Sequence, residues 1–284
     1  MSDFPAGTLI QLEPLVARVL APNPSPYTYS GTQTHLVGTS DLAVIDPGPE
    51  DAAHVAALLD AIAGRPLRAI VVTHTHRDHS PASRALKVAT GAPIVGCAPL
   101  AFDDLGPRAD AAFDRDYAPD RVMTEGDRVE GDGWTLTAIA TPGHTSNHLA
   151  FALEESGALF PGDHVMGWST TVVSPPDGDM AAYLASLEKL MARSDRVYYP
   201  AHGEPIDNPQ RFVRGLIGHR KQREGQILRL LARGVGELPE MVDRMYVGID
   251  PRLKPAAERS VLAHLIDLER RGRARREADA WNGL

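Results

Sequence analysis

One arrangement recurs four times in this chain: a short apolar run stops at a turn that carries histidine or aspartate. Ile70-Val71-Val72 runs into Thr73-His74-Thr75-His76-Arg77-Asp78-His79-Ser80. Trp134 to Ala140 runs into Thr141-Pro142-Gly143-His144-Thr145, and Ala158-Leu159-Phe160 into Pro161-Gly162-Asp163. Val197-Tyr198-Tyr199 runs into Pro200-Ala201-His202-Gly203. Such runs read as buried strands, and open α/β sheets build their sites just past the C-terminal ends of strands. In the last three loops proline stands two residues before the polar residue and glycine beside it. Those residues fix a sharp turn and let the backbone approach an ion closely. The fold must therefore bring several strand ends to one edge.

Neutral imidazole and carboxylate together suit zinc and similar divalent ions. Alternation along an extended loop puts His74 and His76 on one side and turns Asp78 and His79 elsewhere, so one segment can serve two neighbouring ions. Around these loops, Leu42 to Ile45 is a strand that stops at Asp46-Pro47-Gly48-Pro49, and residues 51–63 and about 81–89 are helical. Ser80 stands where a helix N-cap is expected. Ile94-Val95 and His148 to Leu153 are further strands. Strands interleaved with helices predict an α/β layer structure.

From about 209 onward the pattern is helical, through Phe212, Leu216, Ile227 and Leu230 to a last helix from about Ala256 to Arg271. Charge changes at the same place. Residues 1–210 hold 13 Lys+Arg against 27 Asp+Glu, and residues 211–284 hold 16 against 10. We therefore expect a catalytic domain at 1–208 and a basic helical domain at 209–284. The acidic stretch 99–121 reads as a loop or short irregular helices. The single Cys97 excludes an intramolecular disulfide and fits a small buried hydrophobe at a strand end. The first residues lack the basic and apolar regions of a secretory leader. No run reaches the ~20 apolar residues that span a bilayer. A cytoplasmic protein with no membrane partner is the expectation.

With HTHRDH at 74–79, TPGHT at 141–145, PGD at 161–163 and PAHG at 200–203, the chain resembles the metallo-β-lactamase superfamily over about residues 28–205. The resemblance implies an αββα sandwich with a dinuclear site at one edge. It assigns His74, His76 and His144 to one ion and Asp78, His79 and His202 to the other, with Asp163 bridging. Two Zn2+ per chain are implied, with Mn2+ or Fe2+ as alternatives. Asp46 corresponds to an aspartate that supports the metal loop. Two such ions share a water, lower its pKa and hold hydroxide for in-line attack, with Asp78 orienting it. His148 and His164, near the ligands, either hydrogen-bond behind them or donate to substrate.

Within the superfamily Cys97 lies outside every metal motif, which excludes lactamases with a cysteine ligand. Asp163 supplies the bridging carboxylate found in the glyoxalase II type. The chain resembles the beta-lactamase-like protein 2 group, through Asn23-Pro24 before Gly31-Thr32, IVVTHTHRDHS, GDHVMGWSTTV at 162–172, YPAHGEPI at 199–206 and the helical tail. Asn147, His164 and Trp168 depart from that group. Its tail is a small winged-helix-like domain, and its animal members cleave single-stranded RNA. Phosphodiester cleavage of single-stranded RNA is thus the first expectation, with the tail's Arg270, Arg271 and Arg273 on phosphates. Acyl hydrolysis of thioesters, lactones or β-lactams is the alternative, in which a small ester or lactam is not expected to reach the tail. A non-enzymatic interaction role is the third reading, and a homodimer is left open.

Overall fold

The computed structural model describes residues 5–100 and 113–284. The first half forms a seven-stranded sheet in sequence order. Its strands are β1 (Leu9–Glu13), β2 (Val16–Leu20), β3 (Gln33–Val37), β4 (Leu42–Ile45), β5 (Leu67–Val72), β6 (Ile94–Gly96) and β7 (Arg121–Val122). Strands β1 to β4 pair antiparallel, and β4 to β7 pair parallel. The parallel crossovers carry α1 (Ala52–Ile62) and α2 (Ala82–Thr90). Asp51 starts α1 by accepting from the His54 N–H at 2.8 Å, an N-cap bond. Ser80 does not cap α2: the cap position is Pro81, with no side-chain bond. The Ser80 hydroxyl donates instead to Asp114 Oδ2 at 2.9 Å.

The second sheet has β8 (Arg128–Gly131), β9 (Trp134–Ala140), β10 (Leu149–Leu153), β11 (Ala158–Phe160) and β12 (Val197–Tyr198). Helix α3 (Met180–Met191) precedes β12, and α4 (Pro209–Leu231) follows it. Strand β10 shows why the layers stack. Leu149, Phe151 and Leu153 pack into the core shared with Val44, Ile70 and Phe160, while Ala150 and Ala152 join Tyr183, Leu187 and Val213 from α3 and α4. All five residues are buried, since both faces of the sheet are covered. Leu58, Ile62 and Leu86 of α1 and α2 join the core from the far side. The result is the expected αββα sandwich.

Beyond Leu231, α5 (Leu238–Met245), α6 (Lys254–Arg270) and a hairpin of β13 (Ala274–Glu277) and β14 (Ala280–Gly283) enclose their own core. Trp281 from the hairpin closes it against Val261, Leu265 and Leu268. The tail is a winged helix, and its last residues are strand rather than helix. Two of the arginines expected on phosphates have carboxylate partners. Arg270 pairs with Asp179 at the start of α3, and Arg271 pairs with Glu224 at 2.6 Å and Asp267 at 2.8 Å. Cys97 is fully buried just past β6. Of the acidic stretch, residues 101–112 lie outside the described residues; Phe113 bridges to His76, and Asp114 also binds Arg84 at 2.9 Å. Among the described residues no helix is long and apolar enough to cross a membrane.

Candidate metal centre

The four loops leave β5, β9, β11 and β12 at their C-terminal ends and converge. Two groups of donor atoms result. His74, His76, His144 and Asp163 form one, and Asp78, His79, His202 and Asp163 form the other, each within 4.8 Å. His76 Nδ1 lies 3.0 Å from His74 Nε2 and 3.1 Å from His144 Nε2. In the second group Asp78 Oδ2 lies 3.2 Å from His202 Nε2 and 3.5 Å from His79 Nε2. Asp163 faces both groups, with Oδ2 3.5 Å from His79 and 3.7 Å from His144, and Oδ1 3.3 Å from His202.

These spacings fit a divalent ion. Donors ~2.1 Å from a tetrahedral ion lie about 3.4 Å from one another. His79 Nε2 and Asp163 Oδ1 are fully buried and make no hydrogen bond within the protein, a costly condition that an ion relieves.

The backs of the rings are held so that the donor atoms face inward. His144 Nδ1 donates to the Val172 carbonyl at 2.7 Å, and His202 Nδ1 to the Gly31 carbonyl at 3.3 Å. His79 Nδ1 donates to Asp46 Oδ2 at 3.0 Å. That oxygen also accepts from the Thr73 hydroxyl at 2.8 Å, while Oδ1 accepts from the Thr73 N–H at 2.8 Å. With its proton given to Asp46, Thr73 Oγ1 accepts from His74 Nδ1 at 3.0 Å. One buried carboxylate therefore sets the tautomer of a ring in each group.

Electrostatics follow from burial and these neighbours. Burial opposes charge on His202, but Asp163 and Asp78 push its pKa up to about 10. Burial likewise opposes charge on His79, and Asp78, Asp163 and Asp46 hold it well above the usual range. Burial of Asp78 is outweighed by His79 and His202, which hold its carboxyl below the usual carboxylate range. His74 is depressed by burial and by His79 and His76.

His148 and His164 stand behind the donors, and neither lines the cavity above them. His148 Nδ1 meets the Thr141 hydroxyl at 2.8 Å, and its Nε2 accepts from the Asp163 N–H at 3.3 Å. His164 packs on the Tyr183 ring, centroids 4.6 Å apart, and burial pushes its pKa down to about 3. The glycine beside His144 answers to packing rather than to an ion: a Cβ on Gly143 (φ +139°) would lie 2.3 Å from Tyr183 Cα.

Above the donors lies a cavity of about 200 Å³. His76, Asp78, His144, Asp163 and His202 form its floor, and Met166, Trp168 and Val172 part of its wall. The winged helix supplies the facing wall through Tyr246, Ile249, Leu253, Ala256, Ala257 and Ser260. The expectation that a small substrate would not reach the tail is therefore wrong for the first turns of α6. Sequence pattern gave no sign of this wall, because its residues, apolar apart from Ser260, lie more than 40 residues from any metal motif.

A profile of the metallo-beta-lactamase superfamily matches residues 28–202, and one of the beta-lactamase associated winged helix domain matches residues 238–281. The beta-lactamase-like protein 2 homolog of Drosophila melanogaster is 32% identical over 97% of this chain and 94% of its own length. An atrochrysone carboxyl ACP thioesterase of Aspergillus fumigatus is 32% identical over 76% of this chain and 65% of its own. A solved beta-lactamase domain protein from Burkholderia ambifaria superimposes with a TM-score of 0.81 at 21% identity, covering 100% of this chain and 96% of that one.

Proposed function

The chain is a hydrolase of the metallo-beta-lactamase superfamily, and from that premise we propose that it is a dinuclear metal-dependent acyl hydrolase acting on thioesters. The observation that carries the reading is the cavity of about 200 Å³ between the donor groups and the winged helix, with its largely apolar wall. Such a cavity suits an acyl chain. The likeness to a fungal acyl-carrier thioesterase supports the same class.

In this reading His74, His76 and His144 hold one ion, Asp78, His79 and His202 the other, and Asp163 both. Zn2+ suits this imidazole and carboxylate set, and Mn2+ or Fe2+ are alternatives. Two ions, when bound, supply an acidified water and a Lewis acid for the carbonyl. The protein's own residues do the rest. Asp46 and the Val172 and Gly31 carbonyls orient the rings. Asp78 Oδ1, without a donor in the protein, accepts a proton of the attacking water. The water oxygen bonds to the acyl carbon, the carbon–sulfur bond breaks and the departing thiolate takes up the proton. The apolar wall keeps bulk water from the reacting carbonyl.

Cleavage of single-stranded RNA, the activity implied by the animal group, would use the same donors. It is less well supported, since Arg270 and Arg271 already hold carboxylates. The deciding assay gives the zinc-loaded protein a series of acyl thioesters and a single-stranded RNA. The reading expects thioester turnover that a chelator abolishes, and fails if RNA is cut while no thioester is.

A further inference from the structure

Resting on the thioester reading, we infer that Arg220 is a specificity-determining residue that holds a carboxylate carried by the acyl chain. Arg220 lies on α4, is 3% exposed, and lines the same cavity as the metal-site residues. A buried guanidinium is costly unless it is paired. Here the compensation is partial. One Nη donates to the Thr171 carbonyl, the group lies 5.1 Å from the Tyr183 ring centroid, and Nε makes no hydrogen bond. Among the described residues Arg220 has no ion pair, whereas Arg84, Arg193, Arg270 and Arg271 do. The charge is spent on no structural carboxylate, and the cavity is where an anion can reach it.

The reach is set by the backbone. Thr171, which anchors Arg220, adjoins Val172, which anchors His144. Adjacent residues are ~3.8 Å apart, so two hydrogen bonds and one residue step separate the guanidinium from the His144 ring on the floor. A short acyl chain with its carbonyl on the floor would bring a terminal carboxylate to Arg220. Ser260, Ala257 and Ala256, which line the same cavity, bring no competing cation.

The test compares glutaryl- and pentanoyl-N-acetylcysteamine, matched thioesters that differ by the terminal carboxylate. A charge-assisted pair of this kind gives a preference of about 10–100-fold in kcat/KM, expected for the wild type. Arg220→Gln should bring the ratio towards one, and Arg220→Lys should keep part of it. A wild-type ratio near one overturns the inference. So does an unchanged ratio in Arg220→Gln with both rates lowered, as a merely structural arginine would give. A preference for pentanoyl-coenzyme A over pentanoyl-N-acetylcysteamine that Arg220→Gln removes would assign the residue to a carrier phosphate instead. If neither thioester is turned over, the thioester reading fails, and Arg220 is judged by calorimetry. Glutarate should then bind the zinc-loaded wild type about 10-fold or more tighter than pentanoate, and equal binding overturns the inference. Melting curves accompany each variant; where Arg220→Gln does not fold, the Arg220→Lys ratio decides.

Discussion

Replacing Asp46 by asparagine should cost metal affinity at both donor groups without removing any ligand. The position has φ +49°, which asparagine tolerates well, so backbone strain adds little. What changes is the hydrogen-bond logic. Asp46 accepts three bonds, from the Thr73 N–H, the Thr73 hydroxyl and His79 Nδ1. An amide cannot accept all three. If its nitrogen replaces Oδ2, it meets the His79 N–H donor to donor and drives the ring proton to Nε2, the atom that faces Asp78 and Asp163. The Thr73 hydroxyl must then donate to His74 Nδ1, which moves that proton to Nε2 as well. If the amide is turned over, the Thr73 N–H at the end of β5 is left unpaired. Loss of such a supporting partner typically weakens a metal site about 10–100-fold, or about 1.4–2.7 kcal/mol. Stepwise zinc titration against a chromophoric chelator measures this for each ion. Nitrogen-15 spectra of the zinc-loaded rings should show protonated Nδ1 on His74 and His79 in the wild type. Affinities within about threefold of wild type, with those spectra unchanged, would refute the reasoning.

Asp163→Ala leaves the donor groups without their shared carboxylate. Turnover should fall by about 100-fold or more, since a misplacement of ~1 Å at the reacting centre already costs that much. Wild-type turnover with both ions bound would make Asp163 structural. Gly143→Ala places a methyl 2.3 Å from Tyr183 Cα. It should lower stability by about 1–3 kcal/mol or more, read by denaturant titration, and weaken the ion held by His144. In the metal-free protein His202 has its pKa raised from 6.5 to about 10. Its contribution to stability is therefore complete below pH 6.5 and is lost as pH rises towards about 10. Zinc must displace that proton, so apparent affinity should climb across the same window. Titrations in buffers of different ionisation enthalpy count the proton, and a pH-independent affinity would contradict the assignment.

The sandwich and the donor loops were legible because their signals are local. Each strand that feeds a loop is a short apolar run, and each loop carries its histidine or aspartate beside a turn residue within a few positions. Strands β1 and β2 were harder, because Gln11, Glu13 and Arg18 interrupt their apolar pattern. Helix α3 had a readable start, with Asp179 capping the Ala182 N–H and Tyr183, Leu187 and Leu190 on one face, yet no motif drew attention to it. The cavity wall was illegible for a different reason. Ile249, Leu253 and Ala257 are ordinary apolar residues whose role depends on how the winged helix docks, which no local pattern records. In the sequence Arg220 counted only as part of Gly218-His219-Arg220, where the tail resembles the beta-lactamase-like protein 2 group. Its burial over Tyr183, without a carboxylate, exists only in three dimensions.

The central claim is that two donor groups, joined by Asp163, hold two ions that act together. Elemental analysis of protein purified without chelator, paired with thioester turnover as zinc is returned stepwise to the stripped protein, tests it most directly. The account predicts two equivalents per chain, with turnover rising mainly on the second. A single equivalent that persists under added zinc and supports full turnover would contradict it.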